Sequence, residues 1–510
     1  MTPRMPSHDA GLAPMFRRFV DALEAGDVRL VERFFVPGDQ TLLVRRGGMV
    51  VGFASIVEAV RADPLAPCGR LLQSHLREIG PDGTLVTATH RTATGGQGVM
   101  TLLWERTDEG WRIASAHVGE PDPAIDPAVW RQAGAPLAAA TGSGPLEGMS
   151  VAAAELFPLA GHSLASLPVG ADAPARTAEA LAGLQQAGAS VVGLARIDGL
   201  GLGDTGDDPA GMPRNARAAG RLPGGAMSGP TAAVALGQAD LGLGLDTWGS
   251  LLLPASYQGL FGIRTTHGVV PLEGVAGVAP SFDSVGWVAR DLAVLAEVAD
   301  VLLPQAGLLG LDEALLGRDL LGLADPDVVR AIEAVLDRWD SSVLPMRMVG
   351  QDRDVLDGWA QTCRQIRDAE VAGRHRAGDA DLAGLGADVR TAIRSGLAMD
   401  DARLRGARRA QAAARAATAE LVGNGVLLLP TTATVAPVRD RAGATARRGR
   451  DRTQQLLSLA TLGGLPTVTL PLATRRRLPC GLSLVGPLGS DHALLGLAGQ
   501  LAAAGVIVHP

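Results

Sequence analysis

Arginine and histidine are the only side chains in this sequence that can carry a positive charge. Lysine and arginine together number 46, and because the sequence contains no lysine, all 46 are arginine. Arginine keeps its proton up to about pH 12, so it can neither accept a proton as a neutral base nor form a Schiff base. The chemistry open to this chain therefore uses hydroxyl, carboxylate, imidazole and backbone N–H groups.

The sequence shows no pattern typical of a metal or cofactor site. Cys68, Cys363 and Cys480 lie far apart, as in a protein from a reducing compartment without a thiolate cluster. Histidine, aspartate and glutamate show no metal-ligand spacing, and the string GLGLGD at Gly199–Asp204 lacks the strand–turn–helix setting of a dinucleotide loop. We expect no metal ion and no cofactor.

The composition limits the classes of partner. The chain has 510 residues, of which 3% are aromatic, and its formal net charge is −7. Few stacking side chains and mild acidity disfavour nucleic acid and anionic membranes as partners. The sequence has neither a signal-peptide pattern nor an apolar run of about 18 residues, so we expect a soluble, cytoplasmic protein without a membrane partner.

Residues 8–120 have the pattern of a small α+β domain. Apolar residues at helical spacing predict a first helix, with the stripe Phe16, Phe19, Val20 and Leu23. Five strand-like runs follow, at residues 41–45, 71–79, 85–91, 99–106 and 110–118. Alternation along the last run predicts that His117 points to the same side as the apolar Trp111 and Ile113.

The segment RTDEGWRIASAHVG (Arg106–Gly119) resembles the AtzH-like family. Helices followed by a curved meander also resemble the cone-shaped SnoaL-like domains. The resemblance implies an N-terminal pocket containing Arg45 and His117, and some relatives act in the catabolism of nitrogen-rich compounds such as carboxylated ureas. The family has a tyrosine where this chain has Phe19, so that phenol is missing here.

Residues 121–144 are rich in proline, glycine and alanine, which predicts a linker. From residue 145 to 510, apolar strand-like runs alternate with Ala/Leu-rich helices, the texture of an α/β sheet covered on both faces. These two features predict a second, larger domain after the linker.

Five segments between residues 144 and 495 resemble, in the same order, segments of the amidase signature family. They are Gly144–His162, Gly211–Gly237, Leu243–Gly268, Ser281–Arg290 and Leu459–Leu495. The resemblance implies one α/β/α domain around a mixed sheet that acts on a small-molecule amide or urea-like ligand. Members of both families often form dimers, so a homodimer is also an expectation.

The family mechanism uses a serine nucleophile, a middle serine with a cis peptide and a lysine base. By resemblance, Ser250 in the string DTWGS occupies the nucleophile position. Ala226 stands where the middle serine belongs, and Ala154 stands where the lysine belongs. Two of the three groups that move the proton are thus replaced by methyl groups.

The turn before the nucleophile position also departs from the family. By resemblance, Thr247, Trp248 and Gly249 form the turn whose backbone N–H groups bind the oxyanion. Trp248 replaces a glycine, and we expect its indole to narrow the entrance to the site. Leu252 replaces an arginine, which predicts that Asp246 lacks an ion partner.

Three functional hypotheses remain open. In the first, the amidase-like domain is a binding or assembly domain without hydrolysis, and any remaining chemistry lies in the N-terminal domain. In the second, it is an active C–N hydrolase in which Ser250 uses a rebuilt base: Glu155, His162 or His267. In the third, the same cleft serves a lyase or decarboxylase. Glu155 directly follows Ala154, so on a strand it should face the opposite way.

Overall fold

The computed structural model divides into two compact units, Met1–Ala124 and Ile125–Pro510. It describes residues 11–45, 48–62, 65, 68–92, 97–119, 126–162, 174–203, 211–304, 310–339, 344–375, 386–439 and 444–507. Each unit has its own sheet and its own core, as expected for two domains.

The first unit packs helices against one six-stranded sheet with the strand order β2-β1-β6-β5-β4-β3. The elements are α1 (Leu12–Glu24), α2 (Val28–Glu32), β1 (Leu42–Arg45), β2 (Gly48–Val51), α3 (Phe53–Ala62), β3 (Cys68–Glu78), β4 (Gly83–Thr92), β5 (Gln97–Thr107) and β6 (Gly110–Gly119). Five of the six strands match the predicted runs, and β2 and α3 were not predicted. The predicted stripe of α1 is confirmed, since all four of its residues are buried.

An aromatic cluster joins the helices to the sheet in this unit. The ring of Phe19 lies 5.4 Å from that of Phe34 and 6.1 Å from that of Trp104, with edge-to-face geometry in both pairs. Such pairs add about 0.5–1.5 kcal/mol to the burial of their surface. Phe19, which replaces the family tyrosine, is fully buried here and serves packing.

The predicted orientation of His117 is wrong. The register of β5 and β6 shifts by one residue between the pairs Trp104–Ile113 and Leu103–Ser115, as in a β-bulge. An extra residue reverses the alternation beyond it, so His117 is exposed.

Arg45 and His117 do not form the expected pocket. In the pairing of β1 with β6, Leu43 lies opposite Ala116, and Val44 lies opposite His117. Leu43 and Ala116 are buried, and Arg45 shares the side of Leu43 because it is two residues further along the strand. The two polar side chains thus start from opposite faces of the sheet.

The second unit is built on an eleven-stranded mixed sheet with the order β14-β13-β15-β17-β16-β11-β12-β10-β8-β9-β7. Its strands are β7 (Trp130–Ala138), β8 (Ser150–Ala154), β9 (Ser190–Ala195), β10 (Leu241–Asp246), β11 (Phe261–Arg264), β12 (Ser284–Ala289), β13 (Ala314–Gly317), β14 (Met346–Val349), β15 (Val426–Pro430), β16 (Thr467–Ala473) and β17 (Pro479–Val485). The predicted α/β class is confirmed.

The helices of this unit are distributed along the whole chain. They are α4 (Glu179–Gln186), α5 (Ser228–Ala235), α6 (Leu252–Gln258), α7 (Leu292–Leu302), α8 (Arg318–Leu321), α9 (Pro326–Leu336), α10 (Arg353–His375), α11 (Ala387–Leu397), α12 (Asp401–Val422), α13 (Ala444–Gly463) and α14 (Asp491–Ala503). A short 3₁₀ turn spans Gly199–Gly201.

Part of the predicted linker is a strand. Residues 130–138 form β7, which pairs antiparallel with β9 at the edge of the large sheet. Proline and glycine are tolerated there because an edge strand leaves one side of its backbone unpaired. The segment at residues 126–144 therefore belongs to the second unit, and residues 121–125 lie outside the described residues.

Two parallel neighbours, β8 and β10, position the candidate site, and they are the third and fourth strands from the β7 edge of this sheet. β8 and β10 run in the same direction, with Ala153 opposite Leu243. Because parallel strands end at the same edge of a sheet, Ala154 and Asp246 meet at that edge. The turn carrying Ser250 follows immediately.

Candidate functional site

The carboxylate of Asp246 supports the turn that carries Ser250. Its Oδ1 accepts a hydrogen bond from the Gly249 N–H at 2.9 Å, and its Oδ2 accepts from the N–H groups of Leu251 and Leu252 at 3.1 and 3.0 Å. These N–H groups belong to the turn and to the start of α6, where a negative charge is favourable. The hydrogen bonds to the Asp246 carboxylate thus fix the conformation of the turn.

Arg264 is the ion partner of Asp246. Its Nη1 lies 3.1 Å from Asp246 Oδ1 and also donates to the Asp246 carbonyl, while its Nη2 donates to the Phe282 carbonyl at 2.9 Å. Both charged side chains are 1% exposed. The prediction that Leu252 leaves Asp246 unpaired is wrong, because a guanidinium from β11, two strands away, takes that place.

A small cavity lies below the turn, bounded in part by Asp246, Arg264 and Thr467. It has room for about one water molecule. Arg264 Nε and Thr467 Oγ1 are both buried, and no group in the described part of the chain bonds to either. A single water in the cavity would satisfy polar groups that otherwise lack a partner.

The hydroxyl of Ser250 is engaged by the backbone of its own turn. It donates to the Leu245 carbonyl at 2.8 Å and accepts from the Thr247 N–H at 3.0 Å. With Gly249 N–H bonded to Asp246, two of the three N–H groups expected to bind an oxyanion are used within the turn. Thr247 is fixed further by a 2.7 Å hydrogen bond from its hydroxyl to Asp283.

Ala226 and Ala154 are both fully buried near this turn. The residue after Ala226, Met227, donates its N–H to the Ser250 carbonyl at 3.0 Å, so the two segments are adjacent. Gly225 precedes them with φ of +66°, and a Cβ there would lie 2.8 Å from the Ser250 carbonyl oxygen. The chain passes Ser250 closely at Ala226 and presents a methyl group there.

Trp248 packs between α10 and α13. Its indole N–H donates to the Gln454 carbonyl and the Ser458 hydroxyl, each at 3.2 Å, and the side chain is 8% exposed. Two guanidinium carbons from α10 lie over the ring, those of Arg364 at 5.9 Å and Arg367 at 5.3 Å from its centroid. The indole thus ties the turn to both helices.

A small cleft opens beside Ser250. The described residues that line it are Gly201, Leu202, Gly203, Gly225, Thr247, Trp248, Gly249, Ser250, Leu253 and Arg367. The empty space is about 320 Å³, including space open to solvent, and the enclosed part holds only about one or two water molecules. Trp248 forms part of the wall, as expected of a large side chain at this position.

Glu155 is buried just after β8, and its carboxylate bonds to the backbone that follows β9. Its carboxylate accepts from the Ile197 N–H at 3.1 Å, and its own N–H donates to the Ala195 carbonyl at 2.8 Å. The side chain is 4% exposed. Glu155 therefore links the end of β8 to the end of β9, and it is not among the described residues that line the cleft.

The two candidate histidines also lie outside the described lining. His162 Nδ1 is 3.1 Å from Gln132 Oε1. Burial, and then the positive charges of Arg264 and Arg415, lower the pKa of His267. Its backbone N–H donates to the Gly464 carbonyl.

The thiols of Cys363 and Cys480 are buried. Burial raises the pKa of both Cys363 and Cys480 to about 12, so these thiols stay protonated.

Within the described residues, no group of three or more His, Cys, Asp or Glu side chains could hold a metal ion. In the same residues, no helix combines the length and apolar character needed to cross a membrane.

From the sequence, Arg264 was noted only as keeping a positive charge where the amidase signature family has a lysine, and its pairing with Asp246 was not predicted; Arg367 was not identified at all. Arg264 has a local signal, since it ends a strand in a segment that resembles the family. Arg367 has none, because it lies in the middle of the 23-residue helix α10, more than a hundred positions after Ser250.

Comparisons with known proteins agree with this architecture. The AtzH-like family model matches residues 5–122, and the amidase family model matches residues 124–306. Amidase 1 from Oryza sativa subsp. japonica is 32% identical over 398 residues, which make up 70% of this chain and 90% of the rice protein. The chain belongs to the amidase family.

Other similar proteins differ in what their names describe. A solved structure described as an amidase covers 71% of this chain and 85% of its own, with 29% identity and a TM-score of 0.64. A protein of Pisum sativum named Translocon at the outer membrane of chloroplasts 64 is 26% identical over 69% of this chain and 65% of its own length.

Proposed function

We propose that the second unit is an amidase-fold domain that binds a small molecule without hydrolysing it through Ser250. The observation that carries this proposal is the chemistry of the cleft. Among its described lining residues, Arg367 is the only one that ionises, and a guanidinium cannot accept a proton. A serine hydroxyl needs an adjacent base to attack at neutral pH.

The position of the Ser250 proton supports the same proposal. Ser250 donates to the Leu245 carbonyl, which cannot carry the proton away as a base would. We assign Ala226 and Ala154 to the positions of the middle serine and the lysine. Losing such groups typically costs on the order of 10⁴–10⁶ in rate.

The pea relative also favours a role outside hydrolysis. Its name describes a component of a translocon, yet it matches 69% of this chain, nearly the share matched by the rice amidase, 70%. A related sequence thus occurs in a protein that is named for an assembly. A binding or assembly role for this chain is consistent with the different names of these two relatives.

Fluorophosphonate labelling tests the proposal directly, because the reagent reacts with activated serines. We expect the purified full-length protein to remain unlabelled and to show negligible turnover of simple amides. Stoichiometric labelling that disappears in Ser250→Ala would overturn the proposal and support the hydrolase with a rebuilt base. Glu155→Gln, His162→Gln and His267→Gln would then identify that base.

A reconstruction tests the assignment of the two alanines. Ala154→Lys combined with Ala226→Ser restores both groups, and Ala154→Met with Ala226→Ser adds similar length without the amine. We expect trace hydrolysis in the first variant and none in the second. Circular dichroism checks that each is folded, since both place a long side chain at a fully buried position.

A further inference from the structure

The polar groups around the cleft have a biased charge. The described lining contains two hydroxyl side chains, Thr247 and Ser250, and one charged side chain, Arg367. No described lining residue has a carboxylate. A guanidinium N–H binds an anionic acceptor more strongly than a neutral one, because the hydrogen bond is then charge-assisted.

Arg367 is held in place by two neighbours. Its Nε and Nη2 donate to the same oxygen, Asp368 Oδ1, at 3.0 and 2.7 Å, and its guanidinium carbon lies 5.3 Å from the centroid of Trp248. No described residue accepts a hydrogen bond from its Nη1. The Arg367 side chain is 14% exposed, and Arg367 is among the described residues that line the cleft.

A second guanidinium lies close to the indole that lines the cleft. Arg364 lies over the same indole at 5.9 Å, and its Nη2 donates to the neutral Gln454 side chain at 2.9 Å. Of the two guanidinium groups that lie over the indole, only that of Arg367 has a hydrogen-bonded carboxylate among the described residues. Two further carboxylates lie behind the lining, because Asp283 accepts a hydrogen bond from the Thr247 hydroxyl and Asp198 lies against Gly203.

We propose that this cleft binds a small carboxylate, with Arg367 Nη1 as its anion partner and the Ser250–Trp248 side receiving the rest of the ligand. The inference rests on the proposed function, since it names the ligand class of that same cleft. The enclosed part has room for about one or two water molecules, so only the carboxylate end of a small ligand would enter it, and the rest would lie in the part of the cleft that is open to solvent. In this proposal Trp248 also contributes to ligand binding, because its ring orients the guanidinium of Arg367.

Propionate and propionamide test the proposal, because they have nearly the same shape and differ in charge. Binding to the full-length protein is measured by saturation-transfer NMR titration at constant ionic strength. We expect propionate to bind at least about tenfold more tightly than propionamide, a difference of about 1.4 kcal/mol. Raising the salt concentration should weaken propionate binding and leave propionamide unchanged.

Variants locate the effect at Arg367. Arg367→Gln should abolish the preference for propionate, Arg367→Lys should retain part of it, and Arg347→Gln, at an exposed arginine on β14, should retain all of it. Because Arg367→Gln leaves the buried Asp368 without its partner, the double variant Arg367→Gln/Asp368→Asn provides a second test without an unpaired carboxylate.

Three results would overturn the proposal. They are equal affinity for the two ligands, no binding of propionate at millimolar concentration, or an unchanged preference for propionate in both Arg367→Gln and Arg367→Gln/Asp368→Asn. The outcome is independent of hydrolysis. Fluorophosphonate labelling of Ser250 would refute the proposed function while leaving the measured preference for a carboxylate as it is.

Discussion

The two sides of the Ser250 turn differ sharply in how completely they are built. On the lower side, Asp246 accepts hydrogen bonds from three backbone N–H groups and pairs with a buried Arg264. On the cleft side, Ser250 bonds to its own backbone, and no proton acceptor is among the described lining residues. The backbone support of the turn is thus complete, while the described cleft side offers Ser250 no side chain that could act as its base.

The difference has a physical basis. The lower side consists of backbone N–H groups and one buried ion pair, and none of these requires a lysine or a second serine. In the proposed assignment, proton transfer on the cleft side would need a lysine at Ala154 and a serine at Ala226, and alanine cannot move a proton. Under this proposal, the groups that position the turn are separate from those that would transfer a proton.

The largest effect is expected from breaking the lower side. Arg264→Met leaves the buried Asp246 carboxylate without its guanidinium, and we expect a loss of about 3–5 kcal/mol in the free energy of unfolding of the second unit. Urea denaturation measures it. Arg347→Met, which breaks the exposed pair with Glu313, is the control and should cost at most about 1 kcal/mol. Similar costs for the two variants would show that the pair does not support the turn.

A smaller loss is expected from removing the hydroxyl on the cleft side. Ser250→Ala leaves the Leu245 carbonyl and the Thr247 N–H without their shared partner, at a cost of about 1–3 kcal/mol. The same urea titration measures it. An increase in stability would instead indicate a hydroxyl kept for chemistry at the expense of folding, and would weaken the comparison.

The smallest effect concerns pH and the histidine beside Arg264. Because burial and nearby arginines lower the pKa of His267, the unfolded chain binds this proton more readily than the folded one. Stability should therefore fall as the pH drops below about 6.5, and His267→Gln should reduce that slope. Urea midpoints at about pH 7.5 and about pH 5 measure it, with His492→Gln on α14 as the control. An identical slope in both variants would contradict the assignment.

The sequence was informative wherever local pattern determines structure. The apolar stripe of α1 and the five strand-like runs of the first unit follow from spacing alone, and the ordered amidase-like segments indicated the fold of the second. The absence of lysine is settled by composition, since no tertiary arrangement can supply an amine that the chain lacks.

Only the tertiary structure decided which side chains meet. His117 faces solvent because a one-residue shift between β5 and β6 reverses the alternation, and the position of a bulge depends on the partner strand. Residues 130–138 form an edge strand because β9 offers them an unpaired edge. Arg264 reaches Asp246 across two strands, and Arg367 reaches the cleft from a distant helix. These contacts join residues far apart in the chain, and the hydrophobic periodicity of a segment carries no information about its distant partners.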